Sequence, residues 1–223
     1  MKKAVLAIFC LSATLFACKD KSTPTPALDA YMSTSAGSKW TYDVITNPGM
    51  AGSTTVIDTV TATSTDTVIN ISGARTYRIV KHTNGGTSDY YNISGNDYYR
   101  FQNLPGASTK IENIYLKDNA AAGVAWSQTV TATIAGTPLP ITVTNSIVSK
   151  NLTKTVNGIT YTDVIDVKTD ITSSALPAGS IVADIHNYYA RKVGLIQGDY
   201  KVVVALASIN INTQTLLKTA VIL

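Results

Sequence analysis

Histidine and glutamate, two residue types that often carry acid–base or metal chemistry, are scarce in this chain of 223 residues. There are two histidines, His82 and His186, and one glutamate, Glu112. A serine-histidine-aspartate site needs a histidine on a positioned loop, whereas both histidines lie within strand-like runs. The sequence also contains no phosphate-binding glycine loop and no paired-histidine zinc motif. We therefore expect no catalytic residue, no cofactor and no metal site, and we predict that the protein is not an enzyme.

The aspartates form no distinctive set either. Asp163, Asp166 and Asp170 are close in sequence. Residues three apart in a strand point to opposite faces, so Asp163 and Asp166 should not share a metal ion. We expect these carboxylates to lie at solvated strand positions and turns.

Adjacent tyrosines are the best candidates for a binding surface. Three pairs occur in strand-like runs, namely Tyr90 and Tyr91, Tyr98 and Tyr99, and Tyr188 and Tyr189. Neighbours in a strand face opposite sides of a sheet, so we expect one ring of each pair to pack and the other to be presented. A tyrosine offers a large rigid face and an orienting hydroxyl. The alternative is that both rings of each pair are structural.

The composition favours strands over helices. Charged residues make up 14% of the chain, against roughly 25% in an ordinary soluble domain. Tyrosine occurs 12 times, and threonine and valine are abundant, which suits a pleated and half-buried surface. The formal net charge of +4 is spread thinly, so nucleic-acid binding is not expected.

Alternation with a period of two runs from residue 36 onward and predicts an all-β, antiparallel domain. Asn157-Gly158 predicts a two-residue hairpin turn, and Ser94-Gly95-Asn96 predicts a second hairpin. We expect one strand over Lys201–Ile211. We also expect every proline of the domain to fall between strands, because proline cannot donate to a ladder; these are Pro48, Pro105, Pro138, Pro140 and Pro177.

A weak internal repeat divides this domain into approximate halves, 36–118 and 119–223. The marks recur in the same order: a Gly-x-x-Trp ending at Trp40 and at Trp126, an x-Thr-Tyr ending at Tyr77 and at Tyr161, and then a Tyr-Tyr pair. We expect a curved sheet or half-barrel built from this duplication, because neither half could close its own core. Trp40 and Trp126 should occupy equivalent, largely buried places.

The beginning of the chain is typical of a secretory signal, which we place at residues 1–17. Leu15-Phe16-Ala17-Cys18 resembles the lipobox of bacterial lipoproteins, whose cysteine carries acyl chains such as palmitate. Residues 18–35 would then form the lipid anchor and a proline-containing tether. Cys18-Lys19-Asp20-Lys21 also resembles the signal that sends some Bacteroidota lipoproteins to the cell surface.

Two threonines are candidate modification sites. Asp58-Thr59-Val60 and Asp66-Thr67-Val68 resemble the O-glycosylation sites of exported Bacteroidota proteins, so we mark Thr59 and Thr67.

The domain as a whole resembles a group of Bacteroidota-type secreted lipoproteins. The resemblance rests on Gly37-Ser38-Lys39-Trp40-Thr41-Tyr42 near the start and on the segment 188–196, Tyr-Tyr-Ala-Arg-Lys-Val-Gly-Leu-Ile, near the end. It implies a curved antiparallel sheet or a half-barrel of the lipoprotein-carrier kind, and it implies no catalytic residue.

Two functions remain open. One is an outer-membrane or surface lipoprotein that acts as a non-catalytic binding or adhesion module for a glycan or protein partner. The other is a carrier that holds an apolar small molecule or lipid in a half-barrel cavity. A flat tyrosine-rich face would favour the first function, and a lined cavity would favour the second.

Overall fold

The computed structural model describes residues 29–223 apart from residues 72, 105, 106 and 135. The predicted signal, Cys18 and most of the predicted tether lie outside the described residues. Strands make up most of the described residues, and the described part contains a single 3₁₀ turn, Ala205–Ala207. The strands are β1 (Lys39–Thr46), β2 (Thr54–Asn70), β3 (Ala74–His82), β4 (Ser88–Ser94), β5 (Asp97–Asn103), β6 (Lys110–Lys117), β7 (Ala125–Ile134), β8 (Thr137–Val156), β9 (Ile159–Ser173), β10 (Ile181–Ala190), β11 (Gly194–Val204) and β12 (Ile209–Val221).

The twelve strands form one antiparallel sheet in which chain neighbours pair. Its order is β6-β5-β4-β3-β2-β1-β12-β11-β10-β9-β8-β7, so the first strand pairs with the last. This leaves β6 and β7 as the two edges, and the sheet curls until these edges meet in a nearly closed, barrel-like shape. The prediction of an all-β antiparallel curved sheet is confirmed.

Side chains close the seam between β6 and β7 where a backbone ladder is missing. Trp126 Nε1 donates to the carbonyl of Ile114 at 2.7 Å, and Asn145 Nδ2 donates to the same carbonyl at 2.9 Å. Gln128 donates its side-chain N–H to the carbonyl of Glu112. Carbonyls on a sheet edge need partners when water is excluded, and the inner face of β7 and β8 provides them.

The hairpin predictions are confirmed, and two other local predictions are wrong. Asn157 and Gly158 join β8 to β9 with φ values of 47° and 80°, as a two-residue turn with both residues left-handed requires. Gly95 turns β4 into β5 with φ of 61°. The run Lys201–Ile211 is not one strand, because the 3₁₀ turn interrupts it and Ser208 takes φ of 52°.

The prediction that every proline of the domain falls between strands is wrong for two prolines at the start of β8. Pro138 and Pro140 lie inside β8, opposite Thr133 and Thr131 of β7. Pairing of β8 with β9 begins only at Ile141, so the N–H groups that these prolines lack are not needed for that ladder.

The repeat marks fall on corresponding strands of the two halves. Trp40 and Trp126 lie on β1 and β7, the first strands of two sets of six, and Tyr77 and Tyr161 lie on β3 and β9, the third strands. Each indole N–H donates to a backbone carbonyl, from Trp40 to Val193 at 2.6 Å and from Trp126 to Ile114. Trp40 is 1% exposed, whereas Trp126 at the seam is half-buried. An origin by duplication stays a prediction.

The segment before β1 docks against one end of the sheet. Tyr31 is fully buried; its backbone N–H donates to the Tyr98 hydroxyl at 3.1 Å, and its own hydroxyl donates to Asp163 Oδ1 at 2.7 Å. The Lys192 N–H donates to the carbonyl of Ala30 at 2.8 Å. Burial raises the pKa of Tyr98 to about 12, so this hydroxyl keeps its proton near neutral pH.

Within the described residues, no helix has the length and the apolar character needed to span a membrane.

Candidate binding cavity

A cavity of about 420 Å³ lies against the inner face of the sheet. Alternation in β1 and β12 turns one side chain in two toward it, so that Trp40, Tyr42 and Val44 line it from β1. Further apolar groups line it from other strands and from the segment after β5, including Leu104, Ile171, Ile185, Leu195 and Ile211. Small-molecule sites occupy roughly 300–1,000 Å³, so the cavity has the size of a ligand site.

Four charged side chains form a chain of contacts at the cavity wall. Asp58, His82, Asp89 and Arg100 come from β2, β3, β4 and β5, four strands that neighbour one another in the sheet. His82 Nδ1 lies 2.6 Å from Asp58 Oδ2 and its Nε2 lies 3.1 Å from Asp89 Oδ2. Arg100 Nη2 donates to the same Asp89 oxygen at 2.5 Å. Asp58, His82 and Arg100 line the cavity.

The two carboxylates favour a protonated His82. Burial alone would lower the pKa of the imidazole, but hydrogen bonds to Asp89 and Asp58 outweigh it, and the pKa of His82 is raised. For Asp89, burial opposes ionisation, yet Arg100 and His82 hold the pKa of the carboxyl well below its usual range. When the imidazole is protonated, the negative charges of Asp58 and Asp89 balance the positive charges of His82 and Arg100.

In this arrangement both ring nitrogens of His82 and the Asp58 carboxylate are engaged. A general base needs a free lone pair directed at the substrate, and each ring nitrogen of His82 already faces a carboxylate. Asp58 is similarly engaged, because its Oδ1 accepts the Asn84 N–H at 2.9 Å. No group of three or more metal-binding side chains in the described residues could hold an ion.

Three of the paired tyrosines face inward and gather around Tyr115. The Tyr115 ring lies 5.9 Å from Tyr91, 6.1 Å from Tyr98 and 5.3 Å from Tyr189. Tyr91, Tyr115 and Tyr189 line the cavity. Within the described part of the chain their hydroxyls make no hydrogen bond, and burial raises the pKa of each.

The outward members of the pairs are Tyr90, Tyr99 and Tyr188, and each has a cation over its ring. Lys110 Nζ lies 4.5 Å from the centroid of Tyr90 and Lys154 Nζ lies 3.6 Å from that of Tyr188. The guanidinium of Arg75 lies 4.1 Å from the centroid of Tyr99. Tyr99 is only 9% exposed, so the expectation that one ring of the Tyr98–Tyr99 pair is presented is wrong.

The other candidate residues lie apart from the cavity. His186, on the outer face of β10, bonds Asp166 at 2.9 Å, and Glu112 accepts hydrogen bonds from Arg75 at 2.9 Å and from the Tyr77 hydroxyl. Asp163 accepts from Tyr31 and Arg191, and Asp170 pairs with Lys168. The three clustered aspartates thus have three different sets of partners.

The two marked threonines lie half-buried on β2. Thr59 Oγ1 is 3.3 Å from Thr41 Oγ1. Glycosylation of Thr59 or Thr67 stays a prediction.

Sequence reasoning missed Asp58, Asp89 and Arg100 and treated His82 as an ordinary strand residue. The period-two alternation of the strands contained a signal for two of these residues. Asp58 is in phase with Val60 and Ala62, both buried, and His82 is in phase with buried Val80. Charged residues in the phase of core residues point to a polar interior.

No protein-family model, curated protein or solved structure matches the chain.

Proposed function

We propose that the protein binds a small amphipathic molecule inside its curved sheet and acts as a carrier or storage protein for it. The observation that supports this most is the 420 Å³ cavity with an apolar wall and one polar corner. A site of this kind buries the body of a ligand and orients it through a few polar groups.

The alternative, a surface module for a glycan or protein, has weaker support. It needs tyrosines that are free to stack on a partner, and the outward rings of Tyr90, Tyr99 and Tyr188 are already contacted by Lys110, Arg75 and Lys154. Half of the paired rings face the interior instead.

The N-terminal sequence supports a proposal for the place of action. We propose that the chain is an exported lipoprotein, anchored through Cys18 to the outer membrane and displayed at the cell surface. Its partners would then be the membrane, through the acyl chains, and the small ligand, and nucleic acid would not be one.

Uptake of Nile red, a neutral apolar dye, tests the cavity directly. Val44 lines the cavity, whereas its neighbour Ile45 points away from it and serves as the matched control. We expect Val44→Phe to weaken dye binding roughly tenfold and Ile45→Phe to leave it unchanged, with both variants melting as cooperatively as the parent. Equal binding by both variants, or no uptake by the parent, would contradict the proposal.

A further inference from the structure

The guanidinium of Arg100 has an unused donor at the cavity wall. Of its nitrogens, Nη2 donates to Asp89 and Nε is buried without a partner, while the Tyr200 hydroxyl lies within hydrogen-bonding reach of the guanidinium. A buried charged donor without an acceptor is costly, and the Arg100 side chain remains 19% exposed toward the cavity that it lines.

Hydroxyl donors surround the same corner. The Arg100 guanidinium lies 5.4 Å from the ring centroid of Tyr91, and Tyr91, Tyr115 and Tyr189 follow one another at ring distances of 5.9 and 5.3 Å. Their hydroxyls have no partner in the described part of the chain. The hydroxyl of Tyr200, by contrast, donates to Asn187 at 2.7 Å.

The two carboxylates near this corner are already engaged. Asp58 binds His82 and the Asn84 N–H, and Asp89 Oδ2 receives both His82 and Arg100. A ligand that supplied an ammonium group would meet only neutral oxygens, because Asp58, the one carboxylate among the described lining residues, already has partners. A ligand that supplied anionic oxygens would find a guanidinium and phenolic hydroxyls, which form strong charge-assisted hydrogen bonds.

From this arrangement we infer that the ligand is an anionic amphiphile whose carboxylate, or a comparable oxyanion, binds Arg100 and the inward tyrosine hydroxyls while its apolar body fills the rest of the cavity. The apolar wall formed by Trp40, Val44, Ile171 and Leu195 is continuous with this corner. The inference rests on the proposed function and specifies the class of ligand.

Competition against bound Nile red tests the inference with three probes of equal chain length: dodecanoate, dodecanol and dodecyltrimethylammonium. At about pH 8 the carboxylic acid is fully ionised. We expect dodecanoate to displace the dye at a concentration at least about tenfold lower than dodecanol, and the cation to be the weakest competitor.

Two sets of variants locate the preference. Arg100→Met should remove the preference for dodecanoate over dodecanol while dye binding persists. Because loss of Arg100 also leaves Asp89 with one partner fewer, Tyr91→Phe combined with Tyr189→Phe provides a second variant, which keeps the rings and removes only hydroxyls; it should reduce the preference about threefold or more. His186→Gln, on the outer face, is the control and should leave the preference unchanged.

The outcomes separate the two claims. If Nile red binds and all three probes compete equally, or if the cation competes best, the anionic inference is overturned and the cavity proposal stands. If the preference for dodecanoate survives both Arg100→Met and the double tyrosine variant, the assigned site is wrong. If the dye and the probes do not bind the intact protein at all, the proposed function itself fails.

Discussion

Asn145 lies at the seam between β6 and β7, where no backbone ladder joins the described residues of the two strands, so replacing it with leucine should destabilise the fold strongly. The side chain is 1% exposed. Its Nδ2 donates to Asn113 Oδ1 at 3.0 Å and to the carbonyl of Ile114 at 2.9 Å, and its Oδ1 accepts the Thr169 hydroxyl at 2.6 Å. Asn145→Leu keeps the branch at Cγ and is somewhat larger, so no cavity forms and its cost comes from the lost polar contacts and from tighter packing.

The size of the effect follows from these three bonds. Each contributes about 0.5–1.5 kcal/mol net, and a buried group left without a partner costs about 1–3 kcal/mol. Thr169 is 9% exposed and Asn113 is 6% exposed, so water would replace the lost partner poorly. We expect Asn145→Leu to lower the free energy of unfolding by about 3–5 kcal/mol, a large part of the roughly 5–15 kcal/mol that holds a domain together.

Urea denaturation followed by tryptophan fluorescence measures this loss, and Trp126 reports on the seam because it donates to the same Ile114 carbonyl. Thr144→Val is the matched control: it lies next in β8 on the opposite face, where its hydroxyl meets only Ser127 in an exposed pair. We expect the control to change stability by under about 1 kcal/mol. A loss for Asn145→Leu no larger than that of the control would refute the account of the seam.

Three further predictions follow from the described contacts and the sequence. Mass spectrometry of membrane-extracted protein should find an acylated N-terminal Cys18, and an intact Met1 or an unmodified Cys18 would contradict the lipoprotein assignment. Because the folded pKa of His82 is raised above its unfolded value of about 6.5, its pairing stabilises the fold fully below that pH and is lost as pH rises through the folded pKa. The free energy of unfolding should thus fall with pH above about 6.5 in the parent and less so in His82→Gln; parallel curves would argue against the pairing. A Cβ at residue 198 would lie 2.7 Å from Cε2 of Tyr200, so Gly198→Ala should displace that ring and cost about 1–3 kcal/mol in thermal unfolding, and a variant as stable as the parent would contradict the close contact.

The fold class could be predicted because the physics that sets it is local. Alternation, Asn157-Gly158 and the threonine-rich composition act over a few residues, and each points to antiparallel strands. The extent of closure could not be predicted, because it depends on side chains such as Trp126 and Asn145 that meet carbonyls of β6 more than ten residues away. The prolines of β8 were misplaced for a similar reason, since their tolerance depends on where the β9 ladder begins.

The candidate site was harder to predict than the fold. Asp58, His82, Asp89 and Arg100 come from four separate strands, and only the register brings them together. A shift of one residue in any of these strands would turn its charged side chain to the outer face. The tyrosine pairs illustrate the same limit: alternation correctly separates Tyr91 from Tyr90, but it does not say that Arg75 covers Tyr99.

Native mass spectrometry of the full protein, purified gently from cells and sprayed from a volatile buffer, would show whether the interior of the sheet holds a ligand. We expect one small amphipathic molecule per chain, which is released on unfolding, carries a negative charge in solution, and is depleted in Val44→Phe but retained in Ile45→Phe. A protein that is consistently free of any such molecule, and that also takes up neither Nile red nor dodecanoate when these are added, would contradict the claim that the interior of the sheet is a ligand site.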